Sequence, residues 1–237
     1  MAGLITPVGV GVAGEGHAID GYVLEVTAGG YGAIVTDPAV MNPWAEVRTL
    51  ADLGGLTAQW LEGSLRGESP WYGGEPDSET FEIGSTLAAL NRIGFVTTNS
   101  QPAGGPAPDW SWAQRAAVSG FANGELSERI EAALCKTDLV TIRFAATEEA
   151  STSIPVTIWP EERRWLCAKL GEPPPISPVN TWEGGAPGQR ELDRLAEILN
   201  PEMMMVLETS VHVVVIDPQW GRREVLWEAL RSVVDGA

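Results

Sequence analysis

Beyond Ser78 the chain keeps repeating one pattern: segments with apolar residues three and four apart alternate with short apolar runs, and Gly, Pro or Asn punctuates the joins. The first spacing marks an amphipathic helix and the second a buried strand. Ile83, Leu87, Leu90 and Ile93 make the first helical stripe, capped by Asp77 or Ser78 and stopped by Gly94. Phe95–Thr98 then reads as a strand, while 112–121 fits helix or strand equally and is closed by Asn123-Gly124. Leu126–Leu134 predicts a helix, and Leu139–Phe144 and Ile154–Trp159 predict strands. The Pro- and Gly-rich stretch 171–188 reads as a long irregular connection. Gln189–Leu199 is expected to be a helix ended by Asn200-Pro201, Val211–Ile216 a buried strand, and Arg222–Val234 a final helix. This succession implies an α/β (or α+β) fold with one mixed sheet flanked by helices.

The chain ahead of that stretch has two characters. Residues 1–40 are rich in Gly and β-branched residues, with strands expected at Ala18–Thr27 and Tyr31–Thr36, so they read as a Gly-rich β appendage. Residues 41–237 form the main domain. It opens with Trp44–Leu65, where Val47, Leu50, Leu53, Leu56, Trp60 and Leu61 fall at helical spacing, with Gly54-Gly55 as a potential break. A loop rich in Gly, Pro and Tyr follows up to Asp77. Gly9–Gly14 copies the glycine spacing of a dinucleotide-binding loop, but no helical periodicity follows it, so the phosphate-binding mechanism is missing and a glycine-rich turn is expected.

Charge and rare residues remove whole classes of function. With 15 basic against 32 acidic side chains, a net charge of −17, the chain is repelled by nucleic acid and by anionic membranes. No apolar run is long enough to span a bilayer and the N-terminus lacks a basic signal start, so a cytoplasmic protein is expected. Cys135 and Cys167 cannot build a disulfide framework, and His17 and His212 cannot build a histidine metal centre. Glu148-Glu149 and Glu161-Glu162 read as solvated charge, and no Gly-x-Ser-x-Gly motif is present. The 10 tryptophans serve two uses: Trp60, Trp159 and Trp227 read as core, whereas Trp110 and Trp112 stand where a flat ligand could stack.

One stretch carries chemistry. Glu79 and Thr80 open the helix that precedes the strand, and Thr97 and Ser100 end that strand. If helix and strand run antiparallel, these four side chains converge beside the loop bearing Trp110 and Trp112. A carboxylate, hydroxyls and a flat wall suit a polar ligand with an aromatic base and a cationic centre. Spacing alone leaves a second reading open: Glu79 and Thr80 as helix caps and Asn99–Pro102 as a turn.

Glu79-Thr80, Asn91 and the run Gly94-Phe95-Val96-Thr97-Thr98-Asn99-Ser100-Gln101-Pro102 resemble the regulatory C-terminal domain of eukaryotic methylenetetrahydrofolate reductase, which binds S-adenosylmethionine and S-adenosylhomocysteine. The likeness continues through Trp112–Phe121, Val156–Pro160, Val211–Asp217 and Leu226-Trp227, covering roughly residues 76–234. The sequence also resembles a bacterial family of uncharacterised proteins through its Trp/Leu-rich opening helix, Ser100-Gln101-Pro102, Gln114-Arg115-Ala116 and Trp220-Gly221-Arg222. The first resemblance implies that the family's ligand-binding Glu-Thr pair falls on Glu79 and Thr80 and its strand-end Thr and Ser on Thr97 and Ser100, and that 112–121 is a strand. The reductase's catalytic half has no counterpart, and 160–190 does not align. The expected function is non-catalytic binding of S-adenosylmethionine, S-adenosylhomocysteine or a related adenosine compound, with no metal. Two alternatives stand beside it: a structural or interaction protein with a vestigial site that self-associates through residues 1–40, and an enzyme acting on the same ligand with Glu79 as base.

Overall fold

The computed structural model describes residues 22–25, 33–36, 42–72, 74–105, 113–145, 152–158, 179–184 and 189–236. Gly9–Gly14, His17, Glu148-Glu149, Glu161-Glu162, Cys167, Trp110, Trp112 and Trp159 lie outside them. The chain divides into two units, 1–42 and 43–237. In the first, β1 (Tyr22–Glu25) pairs antiparallel with β2 (Ala33–Thr36), Tyr22 opposite Thr36 and Glu25 opposite Ala33.

The second unit opens with a 3-10 turn at Pro43–Glu46 and helix α1 (Leu50–Leu61). Thr49 caps α1 reciprocally: its hydroxyl accepts from the Asp52 amide at 3.1 Å, and the Asp52 carboxylate accepts from the Thr49 amide at 3.0 Å. Gly54-Gly55 does not break α1, and Gly54 has a packing reason. A Cβ there would lie 2.1 Å from the carbonyl oxygen of Asn91, so glycine lets α1 lie backbone against backbone on α2 (Gly84–Arg92).

The succession of helices and strands is the expected α/β (or α+β) class, and the pairing refines it. β3 (Val96–Gln101), β5 (Ala117–Ala122), β9 (Val211–Ile216) and β6 (Val140–Ala145) form a four-stranded sheet in the order β3-β5-β9-β6. A second, three-stranded sheet joins β4 (Ala113–Gln114), β7 (Thr152–Ile158) and β8 (Val179–Gly184), and all described pairs are antiparallel. The described part of the ambiguous segment, 113–121, runs through β4 and β5 with Arg115-Ala116 between them. The irregular connection expected over 171–188 is corrected by β8: its long-range ladder with β7 is a tertiary contact that Pro-rich local composition does not display.

Strand alternation sorts the core by face. Val118 and Ala122 of β5 and Val213 and Val215 of β9 join α2, α3 (Gly124–Leu134) and α6 (Val225–Asp235) in one cluster. On the other face Val96 and Phe121 pack with α1 and with α4 (Gln189–Ala196) and α5 (Pro201–Glu208). The single helix expected over Gln189–Leu199 ends at Ala196, and Asn200-Pro201 starts a helix of its own. Asn200 accepts from the Met203 amide at 3.0 Å as N-cap, and Pro201 occupies the first turn, where its missing N–H costs nothing.

Candidate functional site

The site grows from an irregularity in the edge strand β3. Thr97 and Ser100 are three residues apart, so a regular strand would point them to opposite faces. The β3–β5 register instead runs Thr97 opposite Gly120, Asn99 opposite Ser119 and Ser100 opposite Val118, which leaves Thr98 as an extra residue. This bulge resets the alternation and puts Thr97 and Ser100 on the same side. Gly120 permits it. A Cβ there would stand 2.3 Å from the Val96 carbonyl oxygen and 2.9 Å from the Thr97 Cα.

Asn91 fixes Thr97. Fully buried at the end of α2, its side-chain amide donates to the Leu87 carbonyl and to Thr97 Oγ1, both at 2.8 Å, while its carbonyl accepts from the Thr97 amide at 3.1 Å. Because Thr97 Oγ1 accepts from Asn91, its own proton is left to donate elsewhere.

Thr97 and Ser100 line a cleft that Thr80 also lines, so the structure brings three of the expected site residues together. Glu79 and Thr80 sit on a 3-10 turn, Ser78–Glu82, rather than at the start of the α-helix itself. Asp77 holds the cap position of that turn without a side-chain hydrogen bond. It is Asp77 that contributes a carboxylate to the cleft wall. Glu79 is exposed, and its carboxylate accepts from Gln114 Nε2 at 3.3 Å. Gln114 is buried and also donates to the Pro102 carbonyl at 2.8 Å, which couples Glu79 to the end of the Ser100-Gln101-Pro102 run. Gln101 anchors the same run by donating to the carbonyls of Arg115 at 2.8 Å and Val156 at 3.2 Å.

The aromatic wall comes from residues that sequence reasoning assigned elsewhere. Trp60 belongs to the core, as expected, but it also lines the cleft, and its ring stacks on Tyr72 with centroids 5.5 Å apart and planes 13° from parallel. The Trp60 indole N–H reaches the carbonyls of Gly67 at 2.9 Å and Gly74 at 3.2 Å, pinning the loop that carries Trp71 and Tyr72. The available signal was an aromatic pair inside a Gly/Pro loop, which needs cover from water. Trp110 and Trp112, lying outside the described residues, are given no place on this wall.

Burial pushes the Tyr72 phenol up to about 12; hydrogen bonds from the Ser100 main chain and hydroxyl act against that, and the charges of Asp77 and Glu79 add to it. The cleft measures about 330 Å³ with its open mouth, but its enclosed part has room for about one water. Among the described residues no group of three or more His, Cys, Asp or Glu side chains is placed to hold a metal, and no helix is long and apolar enough to cross a membrane.

The chain belongs to the family described as "Domain of unknown function (DUF6919)", whose model matches residues 39–236. No curated protein matches the chain.

Proposed function

We propose that the β3 cleft is a non-catalytic binding site, acting in the cytoplasm, for S-adenosylmethionine, S-adenosylhomocysteine or a related adenosine compound. The observation that carries this reading is the Thr98 bulge, which turns two hydroxyls toward one cleft facing Thr80 and a stacked Trp60–Tyr72 pair. An adenine needs a flat apolar surface, a ribose needs hydroxyl and amide partners, and an ammonium or sulfonium needs a carboxylate. In this reading Tyr72 covers the base, Thr97 and Ser100 hold polar groups of the ligand, and Asp77 with Glu79 offsets the cation. Gln114 acts through Glu79 as a positioning residue. The resemblance of residues 76–102 to the reductase regulatory domain supports the same choice of ligand.

Calorimetry with both compounds tests the proposal. Heat of binding is expected with at least one, and its absence at high micromolar concentration rejects the reading. Asp77→Asn and Glu79→Gln should each weaken S-adenosylmethionine binding about tenfold, since a hydrogen bond to a charged group is worth about 1.5–3 kcal/mol. The loss should be smaller for ligands without the sulfonium charge.

The β1–β2 hairpin supports one further reading. Among the described residues each of these strands pairs along one side only, which suits self-association of the first unit. Removing residues 1–40 should then lower the mass in solution; an unchanged mass counts against it.

A further inference from the structure

The β3 cleft has a sign as well as a shape. Asp77 lines its wall, and among the described residues that exposed carboxylate makes neither a side-chain cap nor an ion pair. Glu79, two residues on, meets the neutral side-chain amide of Gln114 at 3.3 Å. Both charges reach the cleft, since both push up the phenol of Tyr72 on its wall. Two arginines come to these segments, and each faces another partner. Arg223 meets Glu82, the last residue of the 3-10 turn, at 3.5 Å. Arg194 donates to the Pro70 carbonyl and is held by Glu191 at 2.5 Å. The cleft's other polar groups are neutral hydroxyls, of which Thr97 is 6% exposed and keeps its proton because it accepts from Asn91. That buried donor asks for a polar ligand, and the two carboxylates set the charge the ligand should carry.

Resting on the reading of this cleft as a site for an adenosine compound, we propose that its preferred ligand is an adenosyl cation without a carboxylate: a sulfonium whose tail ends in an amine, such as the decarboxylated form of S-adenosylmethionine. The intact amino-acid tail carries its ammonium and its carboxylate on one carbon. A tail that brings its ammonium to Asp77 and Glu79 therefore brings its carboxylate to the same two like charges. Each such repulsion at about 6 Å in water weakens binding about threefold, so removing the carboxylate lifts a penalty of about tenfold. The hydroxyls of Thr80, Thr97 and Ser100 serve the parts that all these compounds share and do not discriminate among them.

Calorimetry on the full chain compares the decarboxylated compound, S-adenosylmethionine, S-adenosylhomocysteine and methylthioadenosine, whose tail is uncharged. At low salt the decarboxylated compound should bind about tenfold more tightly than S-adenosylmethionine, and the preference should fade as salt rises to about 0.5 M. Methylthioadenosine should bind equally at both salt concentrations. Asp77→Asn combined with Glu79→Gln changes two exposed side chains; it should leave methylthioadenosine binding unchanged and bring the two sulfonium compounds to within about twofold of each other. S-adenosylmethionine binding as tightly as its decarboxylated form, or a preference that survives the double variant or high salt, overturns this inference and leaves the adenosine reading standing. No heat with any of the four compounds overturns the adenosine reading and this inference with it.

Discussion

Two polar constellations flank the ends of this sheet, and they differ in what their hydrogen-bonding groups still have to do. At the turn after β9, the fully buried Asp217 carboxylate receives Arg222 Nε at 2.6 Å and Nη2 at 2.7 Å, together with the Gln219 amide at 2.9 Å. Arg222 also reaches Asp138 at 2.7 and 3.0 Å, and Gln219 Nε2 joins the same carboxylate at 2.9 Å. That corner is closed on itself. In the β3 cleft Thr97 is held from behind by Asn91 and keeps its hydroxyl proton for the opening, and the Asp77 carboxylate on the same wall makes no cap hydrogen bond. Clustered polarity is therefore not a site on its own; polar groups fixed from one side and unspent on the other are.

The sharpest way to break this contrast is Arg222→Met. It leaves the Asp217 carboxylate buried without its counter-ion and should cost about 3–5 kcal/mol in chemical denaturation while leaving cleft binding unchanged in what stays folded. The corner also has a pH signature. Hydrogen bonds from Arg222 hold the Asp138 carboxyl below its usual range, so that pair's stabilisation is present above about pH 4 and fades as pH falls through the lowered value; Arg222→Met should flatten that part of the acid limb.

Gly120→Ala should cost about 1–3 kcal/mol, because its Cβ meets main-chain atoms of Val96 and Thr97 that have nowhere to move. Here the effect reaches the cleft as well, since the bulge must shift. Asn91→Ala strips the Thr97 amide of its buried partner and should cost about 1–3 kcal/mol, with ligand affinity falling further than stability explains. Equal folding loss with intact affinity would deny Asn91 its positioning role.

The mildest probe is spectroscopic. Tyr72 should ionise near pH 12 in an ultraviolet titration, and Tyr72→Phe should remove that late step. Its folded-state value lies above the unfolded one, so the stability it contributes is complete below about pH 10 and is lost between there and about 12. No step near pH 12 that Tyr72→Phe removes would show that Tyr72 is not buried against Trp60.

The parts of this fold that were legible in the sequence are those whose determinants are local. Val211–Ile216 is a run of apolar residues bounded by turn formers, and α3 shows its amphipathic spacing over Leu126–Leu134, whereas the Asn123 side chain, read as the close of the segment before, accepts from the Leu126 amide at 2.7 Å as the helix N-cap. Asn200-Pro201 misled because the same pair that ends one helix also starts the next. β8 was illegible because its identity comes from β7, far away in sequence. In the cleft, Thr80, Thr97 and Ser100 could be found from their motif, which also named Glu79 where the wall carries Asp77, but the Thr98 bulge depends on the missing side chain of Gly120 in another strand. The aromatic wall depends on Trp60 reaching two loop carbonyls. Asp77 was weighed only as a cap, and the absence of a side-chain hydrogen bond at that cap is what leaves its carboxylate for the cleft.

Hydrogen exchange read by mass spectrometry, with and without saturating S-adenosylhomocysteine, tests the account most directly because it reads both constellations at once. The account predicts added protection over residues 70–72 and 77–101 and none over 217–222. Unchanged exchange along β3 and the Trp71–Tyr72 segment, or protection that appears at the Asp217–Arg222 corner instead, would contradict it.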